Sequence, residues 1–205
     1  MEQHEINVYN MNKASPSHRA EKITTIVGLS GSLRRGSLNT ALLHAAAQLM
    51  PDDAKLEVKT IHGIPLYNAD EEQAGGIPPV VSELKENIAA SKGLLLVTPE
   101  YNNSIPGAFK NAIDWLSRPS DDIERIFGGR PVAIIGATTG GFGTVLGQDA
   151  WLPVLRALKT KPWFGGRLVV PYATKAFDES GRITDEMIKA RLQGFLKGFV
   201  KFANE

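Results

Sequence analysis

Three short segments hold the residues best suited to chemistry. Gly31-Ser32-Leu33-Arg34-Arg35-Gly36-Ser37-Leu38-Asn39-Thr40 gathers hydroxyls, guanidinium groups and an amide just ahead of a helical pattern. A phosphate monoester dianion needs such a set: donors for its terminal oxygens, a cation, and the free N–H groups of a helix N-terminus. The plainer reading is a flexible turn with an asparagine cap. The second segment, Thr98-Pro99-Glu100-Tyr101-Asn102-Asn103-Ser104, is polar and carries one aromatic ring. The third, Ala137-Thr138-Thr139-Gly140-Gly141-Phe142-Gly143, is rich in glycine, which lets a backbone approach a flat ring closely.

Other chemistries lack their residues. The chain has no cysteine, which removes disulfides, thiolate nucleophiles, Cys-ligated zinc and iron–sulfur clusters. Its four histidines, His4, His18, His44 and His62, show no metal-ligand spacing, so no metal site is expected. Any redox function therefore needs a borrowed organic cofactor. The 23 basic and 22 acidic side chains leave a formal charge of +1, with no whole-molecule field to favour nucleic acid or an anionic membrane. No apolar run approaches the roughly 20 residues of a membrane span, and residues 1–22 contain no signal-peptide core. A cytoplasmic protein is expected, with residues 1–22 a flexible tail and residues 23–205 one domain.

The elements that would position the three segments can be read from periodicity. Residues 23–29, 93–98 and 131–138 are apolar almost throughout, as in central strands buried on both faces. Residues 55–61 alternate, which suits a strand at a sheet edge, and residues 167–170, closed by Pro171, read as the opposite edge. Helical patterns lie between: 39–50; 79–91, with Val80, Leu84 and Ile88 on one stripe; one after Ser104, read as its cap; 145–159, containing Pro153; and 184–203. Five βα units with right-handed crossovers give an α/β three-layer sandwich on a five-stranded parallel sheet, strand order 2-1-3-4-5.

In that order strands one, three and four are neighbours. All three segments then open at the carboxyl end of the sheet, beside the switch point where such folds bind ligands. That convergence favours a ligand site over three unrelated turns. The first loop lacks G-x-G-x-x-G, and the second strand ends Thr60-Ile61-His62 without an acidic residue for a ribose 2′-OH. A mononucleotide is therefore expected rather than a dinucleotide. Glycines 141, 143 and 147 follow the fourth strand and are the wrong context for a dinucleotide fingerprint. Trp115 reads better as core than as a subunit contact, and Lys110 with Asp114 as an exposed i,i+4 pair.

Three stretches resemble the NADPH-dependent FMN reductase family, most nearly its bacterial quinone and chromate reductases: Gly-Ser-Leu-Arg-Arg-Gly-Ser-Leu-Asn at 31–39, Thr-Pro-Glu-Tyr-Asn at 98–102 and Pro-Gly-Ala-Phe-Lys-Asn-Ala-Ile-Asp-Trp-Leu-Ser-Arg at 106–118. The resemblance implies a flavodoxin-like fold, non-covalent FMN, NADPH or NADH as co-substrate, small-molecule electron acceptors, and a homodimer or homotetramer. On it, Ser32, Arg34, Ser37, Leu38 and Asn39 hold the phosphate. Pro99, Glu100, Tyr101, Asn102 and Asn103 contact the isoalloxazine, and Thr138, Thr139 and Gly140 complete the pocket. Asn103 departs from relatives that carry a second tyrosine there. No catalytic acid or base is named, because the chemistry resides in the flavin. Two other readings stay open: a flavodoxin-type electron carrier that does not oxidise NAD(P)H, and a nucleotide-binding regulatory module.

Overall fold

The computed structural model describes residues 23–205, so the expected tail at 1–22 lies outside the described residues. The strands are β1 Thr24–Ser30, β2 Ala54–Thr60, β3 Gly93–Val97, β4 Pro131–Ala137, β5 Lys161–Pro162 and β6 Leu168–Val170. The helices are α1 Leu38–Gln48, α2 Ala69–Gly75, α3 Pro79–Ala90, α4 Gly107–Leu116, α5 Ile123–Ile126, α6 Val145–Ala157 and α7 Glu186–Ala203. Every strand pairing is parallel, in the order β2-β1-β3-β4-β5 with β6 also on β4. The edge beyond β4 is therefore one strand broken in two. Lys161 and Pro162 pair with the start of β4 and residues 168–170 with its end. Between them the Trp163 N–H still donates to Val132 O at 2.8 Å while its side chain packs on α7, ring centroid 4.8 Å from that of Phe195.

Strand alternation sends side chains to two cores. Ile26, Leu95, Val97 and Ile135 face α1 and α7, while Val27, Leu29, Leu94 and Leu96 face α3, α4 and α6. Because both faces of β3 are covered, all five of its residues are buried. β2 lies at the edge, as its alternation implies, and its pattern runs from buried Ala54 and Leu56 to half-buried residues.

Three local expectations change. Ser104 does not cap α4: it pairs with Tyr101 across a tight turn, and α4 starts after Pro106, whose fixed φ suits the approach to a first turn. On α3 the buried stripe begins at Val81 rather than Val80. α2 interrupts the regular βα alternation; it follows an Asn68 cap and buries none of its residues, so it carries no hydrophobic period to read. Trp115 is core: it is 1% exposed and its indole N–H donates to the Pro65 carbonyl at 2.9 Å.

Candidate cofactor site

Hydrogen bonds carried one residue past the strand ends draw the three loops together. The Gly31 N–H donates to Val97 O at 2.9 Å, Thr98 N–H to Ile135 O at 2.9 Å, and Thr138 N–H to Val170 O at 3.0 Å. Ser32, Arg34, Ser37, Leu38, Asn39, Pro99, Glu100, Tyr101, Thr138 and Thr139 consequently line one cleft, joined by Ala137. Asn102, Asn103 and Gly140 stand just outside this lining. Larger hollows exist, among them one of about 250 Å³ along α6 and the broken edge and one of about 530 Å³ between α1 and residues 177–182, which shares Ser37 and Leu38 with the cleft. Neither is lined by the second or third loop, so the convergence of the loops and their donors, not size, marks the site.

The first loop is a set of donors held in place. Ser37 is the N-cap of α1 and its hydroxyl oxygen accepts the Thr40 N–H at 3.2 Å; the Ser32 oxygen accepts the Arg34 N–H at 3.3 Å. Both hydroxyls act here as acceptors, leaving each its own proton to donate into the cleft. The N–H groups of Leu38 and Asn39, in the first turn of α1, have no intrahelical partner by the geometry of a helix start. Ser32 and Ser37 are buried, whereas Arg34 is exposed at the rim.

Asn39 has a second task that its type alone does not announce. Its amide N donates to Ala137 O and its amide O accepts the Ala137 N–H, both at 2.9 Å, so the side chain pairs with β4 like a short piece of strand. One amide hydrogen remains for a ligand. This bond pair locks the start of α1 to the strand that delivers the third loop.

The second loop turns on Asn102 and Asn103, at φ 50° and 61°, between residues bonded by Tyr101 N–H to Ser104 O at 3.2 Å and Ser104 N–H to Tyr101 O at 3.0 Å. Positive φ at both central residues is the hallmark of a type I′ turn, and asparagine tolerates it best after glycine. Asn103 therefore has a backbone reason for its identity. The Tyr101 N–H is spent inside the turn, but its ring stands 52% exposed at the cleft mouth. Glu100 is not a free surface carboxylate: Oε2 accepts the Gly147 N–H at 2.7 Å, at the start of α6, where a helix N-terminus favours negative charge. Thr98 is fully buried and its hydroxyl accepts the Trp151 indole N–H at 3.1 Å.

Among the described residues, Arg34 and Glu100 are the only charged ones lining the cleft, with no histidine, lysine or aspartate. The arrangement binds an anion and supports a flat group, with no side chain set up as nucleophile or general base.

The family model for NADPH-dependent FMN reductases matches residues 24–175. The chain belongs to that family. An NAD(P)H-dependent FMN reductase of Pseudomonas aeruginosa is 44% identical over 168 residues, covering 82% of this chain and 89% of the relative. A 2-hydroxy-1,4-benzoquinone reductase of a Burkholderia species is 37% identical over 186 residues, covering 91% and 98%. Among solved structures, the flavoenzyme NAD(P)H:acceptor oxidoreductase of Paracoccus denitrificans superposes with a TM-score of 0.79 at 33% identity, covering 89% of this chain and 98% of that one. An archaeal flavodoxin, TM-score 0.58 at 8% identity, shares the fold alone.

The family's FMN fits the donor set. Two hydroxyls, one guanidinium and a helix N-terminus suit a phosphate dianion. The cleft is about 130 Å³, below the usual range for a whole ligand pocket and sized for part of such a ligand.

Proposed function

We propose that this chain is an FMN-dependent NAD(P)H oxidoreductase that passes electrons to quinones and other small oxidants. The observation that carries this reading is a cleft rich in anion donors at the switch point of the sheet, whose one carboxylate, Glu100, is engaged by the Gly147 N–H. The names of the Pseudomonas and Burkholderia relatives support it. When bound, FMN supplies the hydride acceptor and electron donor that the side chains lack.

The residues bind and orient. The Ser32 and Ser37 hydroxyls, the Arg34 guanidinium, the Leu38 and Asn39 N–H groups and the remaining Asn39 amide hydrogen hold the phosphate. Residues 99–103 would contact the isoalloxazine, and Thr138, Thr139 and Gly140 would complete its pocket. The net reaction, NAD(P)H + H⁺ + quinone giving NAD(P)⁺ + hydroquinone, balances two electrons and two protons. Free flavin, azo compounds and metal oxyanions such as chromate are further acceptors of the same electrons. A homodimer or homotetramer is the expected assembly, to be read by light scattering on a sizing column.

The deciding experiment is the visible spectrum of the purified holoprotein before and after NADPH or NADH is added without air. A flavin spectrum that bleaches rapidly is expected. Flavin that persists with either nicotinamide identifies an electron carrier instead, and a colourless protein that takes up no FMN ends the flavin reading. The enzyme is favoured over the carrier because the chain is 33% identical to a flavoenzyme oxidoreductase and 8% identical to the flavodoxin it superposes on.

A further inference from the structure

Tyr172 follows Pro171 directly after β6 and takes a left-handed conformation, φ 47° and ψ 39°. A bulky aromatic residue there is strained, and although Tyr172 precedes the 3-10 turn Ala173–Lys175, its side chain makes no capping hydrogen bond. Its surroundings hold it in place. The Tyr172 N–H donates to Gly140 O at 3.0 Å, and the next residue, Ala173, donates to Thr138 O at 2.9 Å. The phenol end lies over Gly141 so closely that a Cβ there would come within 2.5 Å of the hydroxyl. On the ring itself, Lys175 Nζ sits 5.8 Å from the centroid, within cation–π range. Yet the residue is 57% exposed, and Phe142 beside it on the third loop is 86% exposed.

Single exposed aromatics are ordinary. Here one stands on the loop whose Thr138 and Thr139 line the cleft, and the other packs against that loop, kept in a costly backbone state with its ring pinned. Folding gains nothing from that display, whereas a planar second substrate would.

We infer that Tyr172 is a specificity-determining residue for aromatic electron acceptors: its ring is the stacking surface that receives a quinone beside the flavin. The inference rests on the proposed flavin oxidoreductase reading. The chemistry is complementary, since an electron-rich phenol ring stacks well on an electron-poor quinone. An oxidant without a π face gains nothing from the contact.

The test uses the FMN-loaded protein with two acceptors, 1,4-benzoquinone and ferricyanide, each varied at saturating NADPH, and with NADPH varied in turn at a fixed acceptor. Tyr172→Gly removes the ring and suits the left-handed backbone, so it folds at least as well as the parent. Its ratio of kcat/KM for benzoquinone over ferricyanide falls roughly three- to tenfold, through KM for the quinone, with FMN content per chain unchanged. Tyr172→Phe restores the ratio. An unchanged ratio in Tyr172→Gly overturns the inference. So does an equal loss with both acceptors, or a rise in KM for NADPH alone, which would assign the ring to the nicotinamide. Failure of NADPH to bleach the parent protein's flavin is a separate result that removes the oxidoreductase reading itself.

Discussion

Arg34 and Ser37 stand three positions apart on one loop, but the fold asks different things of them. Arg34 is exposed and, among the described residues, its side chain enters no intramolecular hydrogen bond, so its replacement should leave the fold alone. Arg34→Ala is expected to weaken FMN binding about tenfold or more, since hydrogen bonds to charged groups contribute about 1.5–3 kcal/mol, while the Tm of the FMN-free protein stays put. Ser37 is both donor and N-cap. Ser37→Ala should therefore lower both FMN affinity and apoprotein stability, the latter by about 0.5–2 kcal/mol. Fluorescence titration of FMN alongside thermal melts separates the two; equal stability loss in both variants would contradict the assignment. At this scale residue types pointed to an anion, because hydroxyls, arginine and asparagine before a helix have few other uses together. What the residue types did not reveal was the Asn39 bond pair, whose partner Ala137 lies 98 positions away. The spent N–H of Tyr101 and the Glu100 contact with Gly147 were hidden for the same reason: each depends on where another segment arrives.

Elements were legible where they bury an apolar stripe and obscure where they do not. The central strands announced themselves as unbroken apolar runs. The broken edge did not, because Lys161 and Pro162 form a two-residue strand and the pairing lapses after Trp163, whose ring packs on α7. That tryptophan makes a test on α7 possible. Gly194 and Gly198 are both helical glycines, and propensity alone predicts that either gains about 1 kcal/mol on becoming alanine. Their surroundings differ. A Cβ at Gly194 meets nothing within 4 Å, whereas one at Gly198 falls 2.8 Å from the Trp163 ring, itself fixed between Phe195 and Phe199. Gly194→Ala should raise stability by about 1 kcal/mol, and Gly198→Ala should lower it and alter the tryptophan emission. Urea unfolding of the pair decides: two equal gains would mean Trp163 is free to move.

At the scale of the whole molecule, the strand order followed from two facts of patterning: strands covered on both faces are apolar throughout, and the half-covered β2 alternates. Polar ties between layers carry no such pattern. Lys85, on α3, is 3% exposed, and its ammonium meets Asp122 Oδ2 at 2.6 Å and the Arg118 carbonyl at the end of α4. Arg125 on α5 reaches Asp122 at 3.2 Å and Glu86 at 3.0 Å, so one carboxylate joins α3, α5 and the turn Ser120–Asp122 that links α4 to α5. Hydrogen bonds from Arg125 and then Lys85 outweigh partial burial and hold the Asp122 carboxyl down at about 2. A carboxyl whose folded pKa is depressed stabilises the fold above its unfolded pKa, near 3.8, and loses that contribution as pH falls toward 2. Asp178 is held at about 2 as well, chiefly by the Ser180 hydroxyl, so acid titration of the protein alone cannot single out one group. The difference between parent and Asp122→Asn can. Asparagine leaves the Lys85 cation buried without its counter-charge, and the variant should be clearly less stable at pH 6. Between pH 4 and 2 the parent should fall toward the variant, whose curve is flatter, and the two should converge near pH 2. Melting curves at half-unit steps through that window read the convergence, and parallel curves would show that Asp122 does not tie the layers together.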